Sequence, residues 1–300
     1  MKSKSLFLIW IRILRLHTLP LSISSVGLGN ILAYQYRQFS LKLAFFSIAT
    51  AISLQILANI SNDYGDATHN VDYARSDKLI NTKEISNENI KIGIYINIFI
   101  SIILGSILIY LSEQPAWLWL ILGALSILAA ICYTVGKKPY GYIGLGDVSV
   151  FLFFGILAVC GTFFLQTNNL NYPLLLPTLF IGFSNVAVLN VNNIRDIKTD
   201  ANSGKNTIAV MLGKNNAYIY HYLLIITSIL CLNIFVFKYY KLSFFILVLI
   251  LSLIWIIKHI IQLQKSKKQE LILNKELKNI TLFISLIVGL ILAYQFFQAA

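Results

Sequence analysis

Runs of apolar residues at roughly 7–33, 41–61, 91–112, 115–135, 147–166, 173–193, 216–237, 243–264 and 279–298 divide the chain, and charged residues gather between them. Each run is long enough, as an α-helix, to cross a hydrocarbon layer of about 30 Å. The pattern predicts an all-α polytopic membrane protein, a bundle of nine transmembrane helices forming one domain over residues 1–300. Lys2 and Lys4 precede the first run without a small-residue cleavage site, so that run is expected to be a retained span.

Composition agrees with this reading. The chain is 57% hydrophobic and 12% charged, with a mean hydropathy of +0.74, whereas soluble domains carry roughly 25% charged residues. Lysine and arginine crowd the N-terminus and alternate loops, from Arg75, Lys78 and Lys83 through Lys137, Lys138, Arg195, Lys198, Lys205 and Lys214 to Lys265, Lys267, Lys268, Lys275 and Lys278. The other loops hold only Arg37, Lys42, Lys238 and Lys241. The positive-inside rule then puts the N-terminus and the basic loops in the cytoplasm of a cell whose inner membrane holds the protein, with the C-terminus outside. The net charge of +12 is scattered through short loops, with no soluble domain to present a basic face, so lipid headgroups and not nucleic acid are the expected partner. Cys132, Cys160 and Cys231 sit in apolar runs without CxxC spacing and read as packed thiols. His17, His69, His221 and His259 form no i, i+4 pair and read as packing or interfacial residues.

The acids are placed against topology. Every aspartate, Asp63, Asp66, Asp72, Asp77, Asp147, Asp196 and Asp200, falls on the basic face. Asn59, Asn62, Asp63 and Asp66 follow one another by helical steps of three and four, and Asn192, Asp196 and Asp200 by steps of four, so each set forms an oxygen-rich stripe at the end of a span. Carboxylates at the edge of a bilayer are costly unless paired, hydrated or bound to a cation. Stacked as these are, they repel one another, and a divalent cation relieves the repulsion. Hard oxygen ligands without thiolate or paired imidazole favour Mg²⁺, and two facing stripes suit two ions sharing a substrate phosphate. Solvated helix ends capped by Asn and Asp are the plain structural alternative for either stripe alone.

Four ordered strings carry a resemblance: Leu54 to Asp66, ending Asn62-Asp63-Tyr64-Gly65-Asp66; Lys138-Pro139-Tyr140-Gly141-Tyr142-Ile143-Gly144-Leu145-Gly146-Asp147; Asn190 to Asp200; and Gly204-Lys205-Asn206-Thr207. With Arg15-Leu16-His17-Thr18-Leu19-Pro20 in the first span, they resemble the UbiA superfamily of intramembrane aromatic prenyltransferases over nearly the whole chain, and within it most resemble the 1,4-dihydroxy-2-naphthoate polyprenyltransferases of menaquinone synthesis. The chain departs after Asp66, where Asn70 precedes Asp72 and Arg75-Ser76-Asp77-Lys78-Leu79 replaces the family's Gly-Pro-x-Arg stretch.

The resemblance implies a polyprenyl diphosphate held between the two stripes, with Asp63, Asp66, Asp196 and Asp200 catalytic and, joined by Asn59, Asn62, Asn192 and Asp72, binding two Mg²⁺ ions. Arg15, Lys78, Arg195 and Lys205 would hold the diphosphate, and the aromatic acid would lie against Lys138, Tyr140, Tyr142 and Asp147. The second string also reads as a tight glycine turn with interfacial tyrosines, and Arg195 and Lys205 as counter-charges for neighbouring aspartates. The stripes end the second and sixth runs, suggesting two related halves and a ninth closing helix. Repeats of that kind also occur in secondary transporters, the rival class, although those place charge nearer the bilayer midplane in interrupted helices.

Overall fold

A computed structural model describes residues 6–69, 85–170 and 173–299. The apolar runs fold as helices α1 (Leu6–Leu14), α2 (Leu19–Gln35), α3 (Leu41–Thr68), α4 (Asn87–Leu111), α5 (Ala116–Cys132), α6 (Gly146–Thr167), α7 (Leu175–Asn202), α8 (Ile208–Tyr239), α9 (Leu242–Ser266) and α10 (Leu271–Ala299). With α1 and α2 taken together, 8 helical units among the described residues are long and apolar enough to cross a membrane, and α5, at 17 residues, is a shorter ninth.

The first apolar run is broken where the sequence predicted one span. Arg15 takes a left-handed conformation (φ 46°, ψ 52°), and Leu16–Thr18 form a single tight turn before α2 restarts with Pro20 in its first turn. Proline is tolerated there because the first turn has no intrahelical acceptor for its missing N–H. The left-handed residue, costly without a glycine, turns the Arg15 side chain toward α3. A second irregularity lies in α6, where Phe151–Gly161 winds with wide i→i+5 turns, and a third at Gly213, where φ of 75° kinks α8.

Without a hydrophobic force between helices in lipid, close packing and a few polar contacts hold such a bundle. One close approach joins α6 to α7: a Cβ on Gly155 would lie 2.9 Å from the Cα of Gly182. Buried hydroxyls and amides link other pairs, Ser184 to Ser228 at 2.6 Å and Asn185 to Ser25 at 3.3 Å. Large apolar side chains such as Phe45, Leu120, Ile250 and Leu286 face outward, as expected of a lipid-exposed belt. Two of the histidines are packed in the core, as the sequence suggested, but against each other. His221 and His259 meet nitrogen to nitrogen at 2.9 Å, and the other ring nitrogen of His259 pairs with buried Glu276, a chain through α8, α9 and α10 that local spacing cannot show. The cysteines are free thiols: Cys231 is buried, Cys160 half-buried and Cys132 exposed on the outer surface of α5.

The ends of α3, α5, α7 and α9 that follow their apolar runs lie at the same side of the bundle as the starts of α1, α4, α6, α8 and α10. Ion pairs of Glu270 with Lys214 (3.0 Å) and Lys198 (3.9 Å) tie three of these segments together. Replacing Gly155 by leucine would drive a side chain into the α7 backbone, so Gly155→Leu is expected to destabilise the bundle by about 1–3 kcal/mol, visible as a lowered thermal midpoint in detergent, whereas Gly289→Ala, with open space at its Cβ, should melt like the parent.

Candidate active site

Both aspartate stripes stand on the last two turns of a helix, α3 and α7, where backbone carbonyls add partial negative charge to the carboxylates. Such helix ends attract cations, and each carboxylate has found one. Arg15 forms an ion pair with Asp63. Arg195 grips Asp196 with two nitrogens, at 2.7 and 2.8 Å, and also donates to Asn192 at 2.6 Å and to Asn274 of α10 at 2.8 Å. Lys205 lies 3.7 Å from both Asp66 and Asp200, one ammonium shared between the two stripes.

The arrangement has two tiers. Asp66, Asp200 and Lys205 are buried, at 5%, 2% and 9% exposure. Tyr142 closes this inner tier: its hydroxyl donates to Asp66 at 2.9 Å, its ring lies 5.3 Å from the Lys205 ammonium, and its carbonyl accepts the Asn206 N–H at 2.9 Å. Gly204, at φ 75°, makes the turn that brings Lys205 back over α7. Asp63 and Asp196, each with its arginine, form the outer tier and line a cavity of ≈ 640 Å³. Gly65, between the two aspartates of the first stripe, lets α3 meet the turn after α5, since a Cβ there would lie 2.5 Å from Thr134. Thr134 in turn donates to the Ser61 carbonyl at 3.0 Å and to Asn62 at 3.2 Å.

The cavity has a polar mouth and an apolar depth. Around the mouth are Arg12, Arg15, Asn62, Asp63, Asp66, Asn192, Arg195, Asp196, Lys205 and Lys278; deeper walls come from Leu54, Leu108, Trp119, Leu122, Phe154, Leu157 and Leu165. Tyr133 and Tyr140 line the side between the two. The Tyr140 hydroxyl donates to the Ala129 carbonyl at 2.7 Å and meets Ser149 at 3.0 Å. Burial raises its pKa, so it stays a neutral phenol.

A match to the UbiA prenyltransferase family model runs over residues 22–287. The chain belongs to the UbiA prenyltransferase family. It is 41% identical over 234 residues to "1,4-dihydroxy-2-naphthoate octaprenyltransferase" of Escherichia coli (strain K12), covering 75% of each chain, and 34% identical over 225 residues to the protein of the same name from Mycobacterium leprae (strain TN), covering 74% of this chain and 75% of that one. Its fold is that of a UbiA homolog from Aeropyrum pernix K1 (TM-score 0.70, 16% identity, 94% and 99% of the two chains) and of a UbiA homolog from Archaeoglobus fulgidus bound to DMAPP and Mg2+ (TM-score 0.60, 16% identity, 96% and 97%).

Within this UbiA fold, most of the residues singled out from sequence converge, and a few are placed elsewhere. Asn62, Asp63, Asp66, Asn192, Asp196, Arg15, Arg195, Lys205 and Tyr140 line the cavity, and Asp200 backs it through Lys205. Asn59 does not open on it. Its amide donates to the Leu14 carbonyl at 2.9 Å and to Thr18 at 3.0 Å, while its oxygen accepts from Gln55, so it pins the α1–α2 break to α3. Lys138 is exposed and lies outside the cavity wall. Tyr142 and Asp147 are buried behind it, Asp147 accepting from Tyr220 of α8 at 2.9 Å. Asp72 and Lys78 lie outside the described residues. Arg12, Tyr133 and Lys278 also line the cavity; the sequence signal for Arg12 and Tyr133 was their place beside the motif strings, and for Lys278 only its place on the basic face at the head of the last apolar run.

The sequence expectation for Asn59 as a metal ligand and its observed bonds make different demands. Loss of three buried hydrogen bonds predicts that Asn59→Ala lowers stability by roughly 1–3 kcal/mol. A thermal melt checks this, and an unchanged midpoint with weakened metal binding would return Asn59 to the ligand set.

Proposed function

We propose that the chain transfers a polyprenyl group from its diphosphate to 1,4-dihydroxy-2-naphthoate, with loss of CO₂, giving demethylmenaquinol and diphosphate. The observation that carries this reading is the pairing of two aspartate stripes across one buried lysine at the mouth of a cavity that turns apolar with depth. The name shared by the bacterial relatives supplies the acceptor. In this reading the site end of the bundle faces the cytoplasm and the C-terminus lies outside, as the basic loops suggest.

The charge at the mouth supports a role for divalent cations. Five cationic side chains, Arg12, Arg15, Arg195, Lys205 and Lys278, meet four carboxylates, Asp63, Asp66, Asp196 and Asp200. A diphosphate adds roughly two to three negative charges, more than that balance holds. The all-oxygen donor set of Asp63, Asp66, Asp196 and Asp200, with Asn62 and Asn192 beside them, suits Mg²⁺, and two ions would hold diphosphate oxygens against both stripes. Bound there, Mg²⁺ supplies Lewis-acid stabilisation of the leaving oxygen.

The chain's own groups account for the rest. Arg15, Arg195, Lys205 and Lys278 stabilise the negative charge that grows on the diphosphate as the carbon–oxygen bond breaks and its electron pair leaves with oxygen. Leu54, Leu122, Phe154 and Leu157 take up the isoprenoid and keep water from the allylic cation. The faces of Tyr133 and Tyr140 at the side of the cavity provide electron density toward that cation and flank the place where the naphthoate ring attacks it. As CO₂ departs, the electrons of its bond return to the ring.

Membranes or purified protein supplied with Mg²⁺, a polyprenyl diphosphate and either dihydroxynaphthoate or 4-hydroxybenzoate, with products identified by mass, test the reaction. Turnover is expected with the naphthoate and should vanish in excess chelator and return with Mg²⁺; prenylation of the benzoate alone would overturn the acceptor. Asp63→Ala, Asp66→Ala, Asp196→Ala and Asp200→Ala should each lower the rate at least ~100-fold in protein that still inserts. Tyr140→Ala should raise KM for the aromatic acid more than for the prenyl diphosphate, and Lys138→Ala, outside the cavity wall, should leave both near the parent values. A change confined to the prenyl diphosphate in Tyr140→Ala would move that side chain's role to the phosphate.

A further inference from the structure

A second cavity, a groove of ≈ 620 Å³, lies between α9 and α10. Its flanks are Ile254, Ile261, Leu282 and Leu286, each between 45% and 64% exposed, so it opens toward lipid. Its floor is polar, formed by buried His259 and Glu276 with exposed Asn279 beside them. Glu276 is satisfied from inside the protein, by the His259 ring and by the Asn279 amide at 2.8 Å, and His259 is joined to His221. The other acid at this end, Glu270, is engaged by Lys214 and Lys198.

Lys258 has no such partner. It is exposed on an otherwise apolar stripe of α9 and lines the groove together with Gln262; neither makes a hydrogen bond or ion pair among the described residues. Lys265 continues the stripe at the next helical step, and on α10 Lys275 precedes Asn279, Leu282 and Leu286 on one face. The groove therefore offers cationic donors toward the site end of the bundle and apolar walls away from it. Trp255, at its base, is already stacked on His259 (4.8 Å) and Phe283 (4.2 Å), which disfavours a ligand that binds by ring stacking.

We propose that this groove binds an anionic phospholipid, with the headgroup phosphate on Lys258 and Gln262, Lys265 and Lys275 at the rim, and an acyl chain along Ile254, Leu282 and Leu286. Basic pockets between spans are suited to such headgroups, and the apolar flanks suit a tail better than a free phosphate. The bound lipid ties α9 to α10 close to Asn274, which accepts from Arg195, and so steadies the arginine that holds Asp196.

The test uses the full chain in phosphatidylcholine nanodiscs, with phosphatidylglycerol brominated in its acyl chains added as quencher and the Trp255 signal obtained by difference from Trp255→Phe. Saturable quenching is expected, with half-saturation about fivefold lower than for brominated phosphatidylcholine, and Lys258→Gln should remove most of that preference. If Lys258→Gln fails to fold, the Lys265→Gln, Lys275→Gln double variant should weaken the preference in its place. Equal quenching by the two lipids, or an undiminished preference in the variant that folds, would overturn the proposal. So would displacement by inorganic phosphate, which would indicate an anion site without a lipid, or by a short-chain naphthoquinol at equal concentration, which would indicate a quinol site.

Discussion

Two helices that end in aspartates at the same edge of a membrane repel each other, and the ammonium of Lys205 is what allows them to meet. It sits between Asp66 and Asp200 in a buried pocket, where a charge interaction is screened far less than at a surface. Removing one member of a buried pair typically costs about 3–5 kcal/mol because the remaining charge is stranded. Here one cation answers two carboxylates and the carbonyl ends of two helices, so the position of the loop after α7 fixes the spacing of α3 and α7. Tyr142 extends the constraint to the loop before α6, by hydroxyl, ring and carbonyl at once.

That inner lock frees the outer tier for binding. Asp63 and Asp196 face the cavity and are balanced by arginines, one distant in sequence and one adjacent: Arg15 is presented by the break between α1 and α2, and Arg195, next to Asp196 on α7, is steadied by Asn192 and Asn274. Guanidinium groups suit this place because they pair with carboxylate in the resting site and with phosphate oxygens when an anion arrives, in the same planar geometry. The strained conformation at Arg15 is held by Asn59, which secures the break through Leu14 and Thr18. The stripe on α3 thus divides its labour, with Asn59 building the wall and Asn62, Asp63 and Asp66 facing what enters.

Sequence alone made the spans legible because a bilayer demands long apolar runs, and it made the aspartate stripes legible because helical spacing turns four letters into one face. The wide turns of Phe151–Gly161 were not legible, since they lie in a run of uniform hydropathy, and the break at Arg15 was marked only by Arg12, Arg15, His17 and Pro20 inside an otherwise apolar run. Spacing also cannot say which side of a stripe faces the cavity, hence the different fate of Asn59. Nor does it show pairing across helices: His221 and His259 are 38 residues apart, and their link to Glu276 exists only once α8, α9 and α10 are packed. The glycine-tyrosine string before α6 was legible as part of the site, but the division of its residues was not.

That division bears on how one fold serves different aromatic acceptors. Tyr142 is committed to Asp66 and Lys205, so changing it disturbs the charge lock itself. Tyr140, two residues earlier, spends its hydroxyl on Ala129 and Ser149 and leaves its ring at the cavity wall. A ring anchored at its polar end is a firm surface whose replacement alters the shape of the acceptor's place without touching the carboxylates. Under the proposed reaction, acceptor choice would therefore change at Tyr140 and the neighbouring Tyr133 while the diphosphate end stays fixed, because the two proposed functions rest on side chains that share a loop but not a hydrogen-bond network.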